Sequence, residues 1–183
     1  MKETRPPQTP APAELYAAIR NIPDFPKPGI QFKDITPLLS NPAAFRSAIE
    51  LFVTACRNQS AQKIAGIDAR GFLFGATVAY EMGIGFVPIR KKGKLPYQTR
   101  SISYELEYGS SAVEVHTDAF AGGDRVVLID DLLATGGTAS AAIKLIESCE
   151  ARVVEAIFLI ELTALDGRGK LAPHPVRSIL QFD

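Results

Sequence analysis

Residues 125–147, RVVLIDDLLATGGTASAAIKLIE, limit what this chain can fold into more than any other stretch. The segment opens on an apolar run, 126–129, rich in β-branched residues, as expected of a strand buried on both faces of a parallel sheet. Two carboxylates follow, Asp130 and Asp131, and then a loop of small residues: Ala134, Thr135, Gly136, Gly137 and Thr138. From 139 to 147, Ala142, Ile143 and Ile146 recur at helical spacing. A strand, a tight polar loop and a helix N-terminus build an anion site. Backbone N–H groups at the helix start point at the anion, and the macrodipole favours negative charge there. Gly136 and Gly137 remove the Cβ atoms that would hold a phosphate away, and Thr135 and Thr138 add hydroxyl donors.

The loop is neither of the common phosphate cradles. No Lys follows the glycines at GxxxxGK[ST] spacing, and GxGxxG is absent. Two acids directly before a phosphate loop would repel phosphate, so they must face something else. A ribose diol or a hydrated Mg²⁺ fits, because carboxylate oxygens bind both. The ligand inferred from the residues is a sugar phosphate.

The run VVLIDDLLATGGT resembles the 5-phosphoribosyl-1-pyrophosphate (PRPP) signature of type I phosphoribosyltransferases, and its LLATGGT form resembles the adenine-specific branch in particular. The resemblance implies that 134–138 hold the phosphate. It also implies that Asp130 and Asp131 work at the reacting ribose, with Mg²⁺ bound mainly through PRPP and water close to them.

A chain of 183 residues is read as a single domain with enough length for a sizeable core. Lys plus Arg and Asp plus Glu both number 20, so no broad electrostatic field exists to bind nucleic acid. Two cysteines, Cys56 and Cys149, are too few for a disulfide framework; both read as small buried residues in helices of a protein from a reducing cytosol. No apolar run approaches membrane-spanning length, and the N-terminus lacks a signal-peptide core. The first 12 residues are polar and Pro-rich and read as a disordered tail.

Along the chain, 13–21 read as a short helix ended by Asn21-Ile22-Pro23. In 22–39, Pro23, Pro26, Pro28 and Gly29 forbid a helix and set an irregular path, with a strand-like alternation from 29 to 35. This segment resembles the hood that covers the purine in adenine phosphoribosyltransferases. There main-chain groups read the base, and the matching positions are Ile30, Gln31 and Lys33. Asn41 caps a helix that starts at Pro42. KIAGID, 63–68, is a buried strand and 72–81 the next helix, so Arg70 falls at a strand's C-terminal end, where open α/β sheets place ligands. GIDARGFLFG resembles the family's pyrophosphate loop, with Arg70 as the pyrophosphate contact and a cis Asp68–Ala69 peptide.

GFVPIR, 85–90, is a strand whose Pro88 hints at irregular pairing, and the basic run RKKGKLP follows. The resemblance sets Lys91 and Lys94 near the pyrophosphate. Residues 97–116 alternate in two runs about Gly109, a hairpin signal. The resemblance makes 91–116 the flexible loop that closes over the reaction, with Tyr108 in its motif and Glu107 as the proton-transfer group. Residues 152–162 and 176–182 are strands, and the resemblance sets Leu162 against adenine. His116 and His174 stand alone and suggest no zinc site.

These readings give an α/β fold of the type I phosphoribosyltransferase kind: a mostly parallel sheet of about five strands, helices on both faces, a small N-terminal hood and a flexible hairpin. The function implied is purine salvage, in which adenine and PRPP give AMP and pyrophosphate with Mg²⁺. A cytoplasmic homodimer without nucleic-acid or membrane partners is expected. Two other readings stay open: transfer to a different purine, and a PRPP-binding regulator without catalysis.

Overall fold

The computed structural model describes residues 12–105 and 110–183, which form two compact units, one within Met1–Leu51 and the other Phe52–Asp183. The first unit holds helix α1 (Pro12–Ala17), strands β1 (Arg20–Pro23) and β2 (Gln31–Asp34), helix α2 (Thr36–Ser40) and the start of α3 (Pro42–Arg57). Helix α1 is shorter than the sequence implied, because residues 20–23 leave it to pair antiparallel with β2, Ile22 opposite Phe32. The Pro-rich turn between them closes on itself. Gly29 N–H donates to Asp24 Oδ1 at 2.7 Å, and Phe25 packs edge-on against Phe32. A helix forms at Thr36 despite Pro37, since a proline in the first turn removes an N–H that has no helical partner anyway. Asn41 Oδ1 accepts from the Ala43 and Ala44 N–H groups, the cap expected for α3.

The second unit is built on strands β3 (Lys63–Ile67), β4 (Gly85–Lys91), β5 (Thr99–Glu105), β6 (Ser110–His116), β7 (Arg125–Leu133), β8 (Arg152–Leu162) and β9 (Val176–Phe182). They form one sheet in the order β5-β6-β4-β3-β7-β8-β9. The five strands counted in the sequence are its parallel part. The hairpin adds two antiparallel strands and makes seven. Pro88 shows where that addition stops. Strand β6 meets β4 only at Arg90 and Lys91, beyond the residue that has no N–H to give.

Helix α4 (Arg70–Met82) lies on one face and α5 (Gly137–Ser148) on the other. Strand alternation decides which: Ile64 of β3 turns toward α4, whereas Ala65, Ile67, Leu128 and Phe158 join the apolar cluster of α5. Residues 126–129 are all fully buried, as a strand covered on both faces must be. A short α6 (Gly167–Lys170) follows β8. Cys56 is buried, and burial, aided by the charge of Glu155, pushes its thiol to about 12, so it is inert. Cys149 is only half-buried, at the C-cap of α5. Among the described residues no helix is long and apolar enough to cross a membrane.

Candidate active site

Strands β3 and β7 are neighbours, but the chain leaves them in opposite directions. From β3 it passes through α4 to β4; from β7 it passes through α5, on the other face, to β8. The crevice where the crossovers diverge, at the carboxyl ends of the strands, is where open α/β sheets bind ligands. A cleft of about 510 Å³ lies there. Its wall brings together Asp130, Asp131, Ala134, Thr135, Gly136, Gly137, Thr138, Arg70 and Lys91, nine of the residues singled out in the sequence.

Strand β7 runs past the 126–130 core read from the sequence, through both acids to Leu133. The two carboxylates therefore sit on consecutive strand residues, both in the wall of the cleft and close enough to act on each other. Asp131 is buried, 3% exposed, and its Oδ2 pairs with Arg70 Nε at 2.7 Å. Asp130 Oδ1 accepts the Asp131 N–H at 2.9 Å. Gly71 lets the first turn of α4 approach this strand. A Cβ there would fall 2.8 Å from both Asp130 Oδ1 and the Ile129 carbonyl oxygen. Protein crowded around the Asp130 carboxylate, and then the charge of Asp131, push its pKa well above the usual aspartate range. Burial also raises that of Asp131, against the opposing pull of Arg70.

The loop after β7 delivers α5 to the cleft. Gly136 takes φ +76°, a left-handed conformation, and its carbonyl accepts the Ser140 N–H at 2.9 Å, opening the helix. Backbone N–H groups of the first turn stand ready for an anion. Thr138 Oγ1 donates to the Tyr104 hydroxyl at 3.2 Å, tying the loop to β5. Tyr104 and Ser111 carry the hairpin into the cleft wall, a contribution that alternation alone did not single out.

A second network orders the basic side. The Asp68–Ala69 peptide is cis, as the family resemblance implied. Arg90 Nε pairs with Asp68 Oδ2 at 3.2 Å, and its Nη1 donates to the Lys94 carbonyl at 3.0 Å. Glu114 Oε1 accepts the N–H groups of Lys94 and Leu95, each at 2.9 Å. Burial works to raise the Glu114 pKa, but these backbone donors prevail and hold it below the ordinary range. Lys91 lines the cleft; Lys94 does not, and serves through its backbone. Sequence reasoning missed Asp68, Arg90 and Glu114. Glu114 gave no signal, since an acid between the inward Val113 and Val115 reads as facing solvent.

The candidate base-binding residues belong to both compact units. In the first, Ile30 is exposed, and its N–H donates to the Lys27 carbonyl at 3.2 Å. Gln31 Oε1 accepts from Asn21 Nδ2 at 2.7 Å, and Lys33 Nζ donates to Asn21 Oδ1 at 3.1 Å, so both side chains bond across the β1–β2 pair. In the second, Leu162 is half-buried at the end of β8, opposite Phe182. Glu107 and Tyr108 lie outside the described residues.

Residues 34–178 match the family model of the phosphoribosyl transferase domain. A curated adenine phosphoribosyltransferase of Acidothermus cellulolyticus is 56% identical over 169 residues, 92% of this chain and 96% of that protein. Among solved structures, the adenine phosphoribosyltransferase of Thermoanaerobacter pseudethanolicus superposes with a TM-score of 0.92 at 53% identity, covering 94% of this chain and all of that one. That of Saccharomyces cerevisiae, complexed with an imino-altritol bisphosphate and adenine, gives 0.87 at 42% identity, covering 92% and 97%.

Proposed function

The chain belongs to the adenine phosphoribosyltransferase family, and we propose that it joins adenine to the 5-phosphoribosyl group of PRPP, giving AMP and pyrophosphate in purine salvage. One observation carries this reading: a phosphate loop at the start of α5, an acid pair directly before it, and Arg70 with Lys91 share a single cleft. The yeast relative's ligands, an imino-altritol bisphosphate and adenine, support the pairing of a phosphorylated ring with this base.

In the reaction the bond from ribose C1 to the pyrophosphate oxygen breaks, and pyrophosphate leaves with the electron pair. A bond from adenine N9 to C1 forms, and the N9 proton departs. The loop 134–138 grips the 5-phosphate, so binding energy far from the breaking bond fixes C1 in place. Arg70 and Lys91 face the growing negative charge of pyrophosphate. Asp130 and Asp131 take the ribose hydroxyls and oppose the positive charge that develops on the sugar. Lys94 contributes through the loop it shares with Lys91. Ile30, Gln31, Lys33 and Leu162 are assigned to adenine, with Gln31 and Lys33 acting by main chain because their side chains already bond to Asn21. Glu107 receives the N9 proton, and Tyr108 belongs to the same closing loop.

The donor set suits Mg²⁺. Two adjacent carboxylates offer hard oxygen, and Mg²⁺ characteristically keeps its waters and binds through one or two carboxylates plus substrate phosphates. Among the described residues no group of three or more ligating side chains could hold a metal ion alone. When bound, the ion supplies positive charge beside the leaving pyrophosphate. Free Cys56 and Cys149 agree with a cytosolic location. Leu73 and Tyr80, exposed on one side of α4 and seven residues apart, support a homodimer.

The test is product stoichiometry. PRPP and adenine should yield equal amounts of AMP and pyrophosphate, chelation should stop the reaction, and added Mg²⁺ should restore it. PRPP hydrolysis without AMP would reject the transfer. Full activity in chelator would reject the metal.

A further inference from the structure

The phosphate loop does not stand alone. After β8 the chain makes a 3-10 turn at Thr163–Leu165 and enters α6. There Gly167 lies backbone to backbone against the loop. A Cβ on Gly136 would fall 2.5 Å from the Gly167 carbonyl oxygen and 3.2 Å from its Cα. A Cβ on Gly167 would overlap the Ala134 carbonyl oxygen and lie 3.0 Å from Gly136 N. The glycine at 136 is therefore required by the approach of Gly167 as well as for its φ.

Arg168 anchors Gly167. Its Nε donates to Glu161 Oε1 at 3.0 Å and its Nη2 to Glu161 Oε2 at 2.6 Å, a forked pair. Its Nη1 donates to the Val176 carbonyl at 2.5 Å and its Nη2 reaches Ser178 Oγ at 3.3 Å. Glu161, 5% exposed, also accepts from Ser178 Oγ at 2.5 Å and from Gln181 Nε2 at 3.3 Å. One guanidinium thus clamps α6 onto the ends of β8 and β9, and α6 presents Gly167 to the phosphate loop.

We propose that Glu161 and Arg168, acting through Gly167, are positioning residues for the 5-phosphate pocket. They set the height of the 134–136 backbone, and with it the aim of the N–H groups at the start of α5. None of the three needs to touch PRPP. The inference rests on the reading of 134–138 as the 5-phosphate site. It assigns to a motif beyond the acid pair and its loop, E-x-x-x-x-x-G-R, a task in substrate binding rather than in folding alone.

The test is steady-state kinetics of Gly167→Ala, Arg168→Ala and Arg168→Lys, each substrate varied with the other saturating, beside direct binding of ribose 5-phosphate. Misplacing a binding backbone by a fraction of an ångström is expected to raise KM for PRPP roughly tenfold in Gly167→Ala and Arg168→Ala, with kcat and KM for adenine held within about twofold. Ribose 5-phosphate binding should weaken in the same ratio. Arg168→Lys should fall between, since it keeps the charge and loses the fork; it carries the comparison if Gly167→Ala does not fold. Wild-type AMP formation separates the two levels: its failure would remove the functional reading itself. With wild type active, a lower Tm and an unchanged KM for PRPP would overturn the positioning role. An equal rise in both KM values would do the same.

Discussion

Asp130→Asn is expected to raise the melting temperature of the free protein while removing most of its turnover. The Asp130 carboxylate is crowded by protein and stands beside a second acid, and both effects push its pKa up. Holding it ionised therefore costs the free protein stability. An Asn of the same shape still offers an oxygen to the Asp131 N–H, now at 2.9 Å from Asp130 Oδ1. The like-charge repulsion disappears, and a gain of about 1 kcal/mol would move Tm by ~2–4 °C in a domain of this size. The dependence on pH has a definite sign. A carboxyl whose folded pKa is raised carries no penalty below the ordinary aspartate range, and the penalty grows as pH rises through the folded value. The Tm advantage of Asp130→Asn should thus be absent in acid and largest at neutral pH. Turnover should fall about a hundredfold, the usual effect of deleting one group aimed at developing charge. Unchanged turnover would remove Asp130 from the reaction, and a lower Tm at neutral pH would refute the strain assigned to the pair.

Arg70→Ala should damage both properties at once. Asp131 is buried, and Arg70 at 2.7 Å is what pulls its pKa down against burial. Without the guanidinium, Asp131 holds its proton to higher pH and the cleft loses a cation facing pyrophosphate. Turnover should fall at least about a hundredfold. The stability loss is smaller than for a fully buried pair, because the Arg70 side chain is 42% exposed and solvent screens it. About 1 kcal/mol, read as a Tm decrease of a few degrees, is expected. Arg70→Lys should recover stability better than turnover, since an ammonium supplies charge without a planar fork. Wild-type kinetics in Arg70→Ala would show that the pair only ties α4 to β7.

The opposite Tm shifts of these two variants depend on geometry that the sequence did not contain. The run 125–147 made the strand, the loop and the helix legible, because a β-branched apolar run, small residues and helical spacing are local signals. It did not reveal that β7 continues to Leu133, since hydrophobic patterning ends at the acids while the hydrogen-bond ladder to β8 does not. Nor did it show Asp131 turned onto Arg70, a contact between residues on neighbouring crossovers. In the same way Arg20 and Asn21 were read as the tail of a helix and Ile22 and Pro23 as an irregular path, because Arg20–Pro23 is a strand only by virtue of its partner about ten residues on.

Gly136 illustrates a reason that was right in kind and incomplete. Its missing Cβ was assigned to a close-lying phosphate, but the nearest demand comes from Gly167, some thirty residues later. Glu114 and Arg168 were passed over because isolated charges in strands and turns usually face water. The burial of Glu114 and the backbone partners of both appear only once the sheet is assembled. Lys91 and Lys94 look equivalent in sequence, but the pairing of β4 with β6 through Arg90 and Lys91 sends one to the cleft and the other's backbone to Glu114.

The most direct measurement is nucleotide formation from PRPP and Mg²⁺ with adenine, hypoxanthine, guanine and uracil supplied separately. AMP from adenine, and no nucleotide from the other three, is the expected result. Nucleotide from another base would leave the PRPP site standing and contradict the adenine assignment. No nucleotide from any base, with PRPP still bound, would contradict the transferase itself.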